Sequence, residues 1–286
     1  MRPTIIILLL FAFFNETKSQ IIKVWEISEG LVAPESVVYD SESNLLYVSN
    51  YTRSMANGST YADCFVSKVD LNGQIIDREW ISNLSSPTGL FLKDSLLYIV
   101  ERFGVAVYDV KNDKMSKRHH IIHDGFINDV AVDNEQNIYV TDSGSEILYR
   151  IKENEVSNWI VSDSIANANG ISFIDNMIYI GVNRDNFLKS IDPKTKQISK
   201  ISYLGEGNID GIKKREDELI ISLYTKGLRL LKKNGKTIEL LNTESTGLHC
   251  TDFEYISDLD MLVVPSLYDN KLIAYKFKKK QEKKEE

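Results

Sequence analysis

A short apolar run, a polar turn and a second apolar run follow one another in the same order along most of the chain. Segment 127–142 shows the unit most clearly: the polar pair Asn128-Asp129, the apolar Val130-Ala131-Val132, a polar turn, the apolar Ile138-Tyr139-Val140 and an acidic end at Asp142. Six copies align on the leading residues Glu35, Thr88, Asn128, Asn169, Asp210 and Thr251, which stand 53, 40, 41, 41 and 41 residues apart. Repetition at such a period marks a small unit that buries its apolar faces against copies of itself. The second runs (45–49, 96–100, 137–141, 177–181, 218–222 and 261–265) are rich in Tyr, Ile and Val, as strands are. Third strands are expected over 65–71, 105–110, 146–151, 187–191, 227–231 and 271–277. The pairs Asn72-Gly73, Asn112-Asp113, Glu153-Asn154, Asp192-Pro193 and Asn234-Gly235 then turn the first five units into fourth strands.

The sixth unit has no fourth strand, and segment 21–27 precedes the first unit with nothing to pair to. Both anomalies vanish if 21–27 is the outer strand of the sixth unit, which also covers an open edge. The pattern therefore predicts an all-β chain, a six-bladed β-propeller over residues 20–277 whose ring is closed by an N-terminal strand, with a charged tail at 278–286. The first interval exceeds the others because of a loop at 51–63, long enough to expect a flap over one face.

Composition narrows the reading. A chain of 286 residues with 26% charged and 43% apolar residues is ordinary globular material. A net charge of −7 argues against a nucleic-acid surface. Arg2, the apolar run 5–14 and the small residues Thr17 and Ser19 form a signal-peptide pattern over 1–19. The run is shorter than the roughly 20 residues a membrane span needs. The mature protein is thus expected to be secreted or periplasmic, without a membrane span, and monomeric. In that compartment Cys64 and Cys250 either pair or stay as two buried thiols. Asn50, Asn57 and Asn83 each begin a glycosylation pattern.

In a propeller the first strand of each blade lines the channel, so the six leaders should form a ring at one mouth. Asn50, Glu101, Asp142, Asn183, Tyr224 and Ser266, at the ends of the second strands, should form a wider rim. All six leaders carry side-chain oxygen. Turns also favour Asn and Asp before a strand, but Glu35 after Pro34 is no turn residue. Two carboxylates converging on one axis also repel unless a cation joins them. Glu35, Asn128, Asn169 and Asp210 offer four of the six to eight hard oxygens that calcium takes. Magnesium and manganese take the same donors, whereas zinc prefers His and Cys.

The segments Pro34-Glu35, Asn128-Asp129 with its strand and Asp142, Asn169-Gly170-Ile171 and Asp210-Gly211-Ile212 resemble the regucalcin/gluconolactonase family of six-bladed propellers, with diisopropyl-fluorophosphatase-like and paraoxonase-like hydrolases as relatives. The resemblance implies metal-dependent hydrolysis of a small lactone or activated ester, with Glu35, Asn128, Asn169 and Asp210 on a divalent cation, calcium first. It implies that Asp210 activates water or attacks directly, and that Asn128 joins the metal or touches substrate. His249, just ahead of the sixth leader, and His123, in the loop before blade three, are further acid/base candidates, although a lone His is more often structural. Asn128, Asp129, Arg102 and Asp142 are the expected substrate contacts. Arg102 and Arg53 are candidates by position alone for the arginine that grips sugar lactones, for which no clear counterpart exists. His119 and His120 are expected on an exposed outer strand. The alternative is a non-catalytic propeller that binds a ligand or partner protein on its loop face; a strictosidine-synthase-like reaction is a weaker third reading.

Overall fold

The computed structural model describes residues 20–51 and 64–278. The signal-peptide pattern, most of the expected flap with Arg53 and Asn57, and the tail beyond Lys278 lie outside the described residues.

The described residues form six four-stranded antiparallel sheets. The chain opens with β1 (Ile21–Ile27). Blade one follows as β2 (Pro34–Asp40), β3 (Leu45–Asn50), β4 (Phe65–Asp70) and β5 (Ile75–Ile81). Blade two is β6 (Leu90–Lys93), β7 (Leu96–Glu101), β8 (Gly104–Asp109) and β9 (Lys114–His120). Blade three is β10 (Ile127–Val132), β11 (Ile138–Asp142), β12 (Ile147–Lys152) and β13 (Glu155–Val161). Blade four is β14 (Ala168–Ile174), β15 (Met177–Val182), β16 (Phe187–Ile191) and β17 (Ile198–Tyr203). Blade five is β18 (Ile209–Arg215), β19 (Glu218–Leu223), β20 (Gly227–Leu231) and β21 (Thr237–Leu241). Blade six is β22 (Glu254–Ile256), β23 (Met261–Ser266) and β24 (Lys271–Phe277), completed by β1, which runs antiparallel to β24 from Ile21 opposite Phe277 to Ile27 opposite Leu272.

The inner strands β2, β6, β10, β14, β18 and β22 neighbour one another in a closed ring. The core is correspondingly divided. Each of six apolar clusters fills one space between adjacent blades: Val100 and Val107 of blade two pack with Val130 and Val140 of blade three, and Val37 and Val48 of blade one with Val263 and Ala274 of blade six. Middle strands meet a neighbour on both faces and so read as continuous apolar runs. Outer strands meet solvent and alternate. His119 departs from its expected exposure: it is buried against the groove between blades two and three, and burial, with Lys117 nearby, pushes its pKa down, while His120 is exposed. Cys64 and Cys250 are separate buried thiols. Asn50 is fully buried and donates to Val48 O (3.0 Å) and Ser67 Oγ (3.0 Å), which removes it as a glycosylation acceptor.

Candidate active site

Glu35, Asn128, Asn169 and Asp210 are each the second residue of their inner strand. In all four blades a β-bulge falls there. Pro34 faces Asn50 but Val37 faces Val48, so Glu35 and Ser36 together oppose Ser49 alone. The same slip leaves Asn128-Asp129 opposite Thr141, Asn169-Gly170 opposite Gly181, and Asp210-Gly211 opposite Ser222. Bulges of this kind re-aim a side chain beside a site.

The bulges are stapled in one way in blades one, three and five. The freed amides of Ser36, Asp129 and Gly211 donate to the hydroxyls of Ser49 (2.9 Å), Thr141 (3.1 Å) and Ser222 (2.6 Å). Those hydroxyls donate onward to the leader carbonyls of the next blade, Thr88 O (2.8 Å), Asn169 O (2.6 Å) and Thr251 O (2.9 Å). Gly170 is required by close approach, because a Cβ there would lie 1.3 Å from Asp210 O.

All six leaders line one cavity of about 430 Å³ at the channel mouth, together with Asn208, Leu267 and the aromatic residues Tyr51, Phe126, Tyr224 and Tyr268. Glu35 Oε2, Asn128 Oδ1, Asn169 Oδ1 and Thr251 Oγ1 are buried without a hydrogen-bond partner among the described residues. Asn169 gives its amide hydrogen to Asp210, so its carbonyl oxygen is the atom left over. Thr88 differs: its hydroxyl donates to Asn128 O at 2.7 Å, which fixes its proton there and leaves only lone pairs for the cavity. Burial pushes the Glu35 carboxyl well above its ordinary range, and the charges of Asp210, Asp252 and Asp129 push it further. Burial and Asp252 do the same to Asp210, opposed by the Asn169 hydrogen bond.

A second buried layer lies beneath the leaders. Asp129 accepts from Val130 N (2.7 Å) and from Ile171 N of the next blade (2.9 Å). Asp252 accepts from Ser36 Oγ (2.6 Å), and Lys213 Nζ stands 3.7 Å from its other oxygen. Burial works against the Lys213 charge, but Asp252, Glu254 and Asp129 outweigh it and raise its pKa.

The donors fit a hard divalent cation. Two carboxylates supply balancing charge, and the orphaned amide and hydroxyl oxygens otherwise lose hydrogen bonds for nothing. Among the described residues no three His, Cys, Asp or Glu side chains converge to hold a metal. The donor set is mixed, which suits calcium and not zinc.

Other expected residues are placed differently. Asp129 lies outside the cavity, both oxygens taken by backbone amides. Asp142, fully buried, accepts from Phe126 N (2.7 Å) and Gly144 N (2.9 Å) and holds the loop ahead of Asn128 instead of facing the cavity. The expected rim has that role generally: Asn50 accepts from Val32 N, Glu101 from Ser85 N, Asn183 from Ile209 N and Ser266 from His249 N. Of the rim only Tyr224 lines the cavity. Arg102 does not line it, and its guanidinium lies 5.5 Å from the Phe103 ring centre. The His249 ring stands behind the wall, 4.9 Å from the Tyr224 ring and 5.1 Å from that of Tyr268. His123 Nε2 lies 2.8 Å from Arg102 O and joins two loops. Sequence reasoning put Thr251 in the leader ring but outside the metal set, named Tyr224 alone of the aromatic wall, and missed Lys213. The wall carries a usable signal, since Tyr51, Tyr224 and Leu267 each directly follow a second strand.

Fold and site together define a β-propeller with an oxygen-lined, carboxylate-bearing cavity at its axis. No family model and no curated protein matches the chain in sequence. Solved structures share its fold. A gluconolactonase from Xanthomonas campestris superimposes with a TM-score of 0.69 at 12% identity, over 92% of this chain and 91% of its own. The calcium-binding protein regucalcin from Agrobacterium tumefaciens gives 0.69 at 13% identity, over 89% and 94%. An inactive virginiamycin B lyase from Staphylococcus aureus, solved with quinupristin, gives 0.64 at 9% identity, over 90% and 99%. At such identities the likeness is one of fold. Among the described residues no helix is long and apolar enough to cross a membrane.

Proposed function

We propose that this protein is a divalent-cation-dependent hydrolase of a small lactone or activated ester, with calcium as the cation, working as a secreted or periplasmic monomer. One observation carries the reading: four buried, unpartnered oxygens from Glu35, Asn128, Asn169 and Thr251 meet beside Asp210 in a single cavity. The shared fold with a gluconolactonase and with regucalcin supports it.

Glu35, Asn128, Asn169 and Asp210 would hold the cation, with Thr251 as a fifth donor. When bound, a dication supplies polarisation of the substrate carbonyl and stabilises the developing oxyanion. Asp210 is the base. Asn169 orients its carboxylate, which takes a proton as water oxygen bonds to the carbonyl carbon. The carbon–oxygen bond to the alkoxide then breaks and the alkoxide recovers that proton, leaving a hydroxy acid from a lactone, or an acid and a separate alcohol from an open ester. The neighbouring carboxylates keep the site's proton affinity high until a cation balances them.

The test is metal content by elemental mass spectrometry, with thermal unfolding in calcium and in chelator. One tightly held divalent ion and a chelator-sensitive midpoint are expected, and both should disappear in Glu35→Gln. Asp210→Asn should fold and lose on the order of 100-fold or more in kcat on lactones, the scale of a general base. Absence of a stoichiometric ion together with a chelator-blind midpoint overturns the reading.

A further inference from the structure

The groove between blades two and three holds a histidine where most blades hold an aliphatic side chain. In every blade the second residue of the third strand faces one residue of the outer strand. Round the ring those outer residues are Ile81, His119, Ile160, Ser202, Leu241 and Ile27. Four of them are Ile or Leu and help to fill the space between blades, and Ser202 is small and half-buried. His119 is only 9% exposed, yet neither ring nitrogen has a hydrogen-bond partner among the described residues. A buried polar group without a partner costs stability. Where a chain breaks its own pattern at such a cost, function is the usual reason.

The His119 ring lines a groove of about 340 Å³ that opens at the turns joining β10 to β11 and β12 to β13, on the face opposite the leaders. Every residue of its lining falls between 96 and 154, within the described chain. Its floor is Leu96, Tyr98, Val107, Ile138 and Ile151, all from middle strands. At its edge stand Lys117, Lys152, Glu135 and Glu153, two charges of each sign, and Lys117 Nζ donates to Asn154 Oδ1. The groove therefore has no surplus charge with which to select an ion. Burial, with Lys117 nearby, pushes the His119 pKa below its ordinary 6.5. The neutral imidazole offers one N–H donor and one bare nitrogen acceptor. An apolar floor that carries a single such polar partner suits a ring compound with a single polar group, and the Tyr98 ring favours a flat one.

We propose that this groove is a second binding site, separate from the axial cavity, for a small uncharged phenol. The ring of the ligand lies on the floor, and its O–H donates to the bare nitrogen of His119. The site is independent of the hydrolase reading, since His119 belongs neither to the leader ring nor to its loops.

The experiment is a titration of the full chain with 4-ethylphenol, ethylbenzene and 4-ethylbenzoate, followed in the carbon-edited NMR spectrum of the imidazoles. The chain has four His, so the His119 signal is identified by its loss in His119→Leu, or in His119→Gln if the first variant does not fold. 4-Ethylphenol should shift that signal to saturation and bind about 3- to 10-fold more tightly than ethylbenzene, the worth of one neutral hydrogen bond. Ethylbenzoate should bind more weakly than the phenol. His119→Leu carries the kind of residue that four other blades have at this position, so it should melt no lower than the parent protein. Followed by calorimetry, that variant should bind the phenol no better than ethylbenzene, while His119→Gln, which keeps a donor and an acceptor, should retain a lead. The absence of a saturable His119 shift, equal affinity for phenol and ethylbenzene, or tighter binding of the benzoate overturns the proposal. So does a phenol lead that survives in His119→Leu, or a His119→Leu midpoint several degrees lower, which would make the ring a packing element of the two blades.

Discussion

Among the described residues, Lys213 is the cationic side chain that stands beside the buried carboxylates of the channel, and it holds three of them, Asp252, Glu254 and Asp129, to a tolerable charge. Removing one member of a buried pair leaves the other charge uncompensated, at about 3 kcal/mol or more. Lys213→Met should therefore destabilise the chelated protein by about that amount in urea unfolding, and should tighten calcium binding, because a competing positive charge is gone. A variant with unchanged stability and unchanged affinity would show that Lys213 carries no such role. The residue was not legible in the sequence. Its partners come from other blades, and a lysine three places after a leader looks like any solvated strand residue. The leaders were legible because six aligned copies expose what one copy hides. Asp142 and Asp129 were misread for a physical reason. A carboxylate at the end of a strand can face a cavity or turn back to cap a loop amide, and only the hydrogen bonds of Asp142 with Phe126 and Gly144 tell which.

At the scale of elements, the strands were readable nearly to the residue. Their turns are chemically explicit: Glu153-Asn154 takes the left-handed backbone at both positions, φ 50° and 75°, as a tight hairpin requires. The bulges were not readable. Those of blades one, three and five each depend on a hydroxyl of the second strand and a carbonyl of the next blade, which no local pattern encodes. β1 is the element with the largest consequence. It covers the edge of β24, and Trp25 in it donates to Leu71 O (2.8 Å) in blade one, so it ties the last blade to the first. A chain beginning at residue 28 should expose β24 as an unpaired edge and elute from size-exclusion columns as dimers and aggregates. A monomer with an unchanged unfolding midpoint would remove β1 from that role.

For the whole molecule, the carboxylates at the axis couple stability to pH and to the cation in opposite directions. Glu35, Asp210 and Asp129 have folded-state pKa values raised above their ordinary 4.5 and 3.8. In chelator, the stability linked to their protons is fully present below about pH 4 and is lost as the pH climbs through the raised values. The chelated protein should therefore lose midpoint temperature with rising pH from that point, and the increment given by calcium should grow. A calcium increment independent of pH between 5 and 8 would contradict a site built on these carboxylates. The number of blades and the convergence of the six leaders on one cavity could be read from spacing, while the aromatic walls leave only a weak signal in the residues that follow the second strands, because they come from loops. The pairing of Ile21 with Phe277 has a further consequence, in time. The strand that finishes the ring is made first and its partner last. At about 5–20 residues per second on the ribosome, β1 waits roughly 10–50 s for β24. Until β24 has been made the molecule is an open arc with two bare ends.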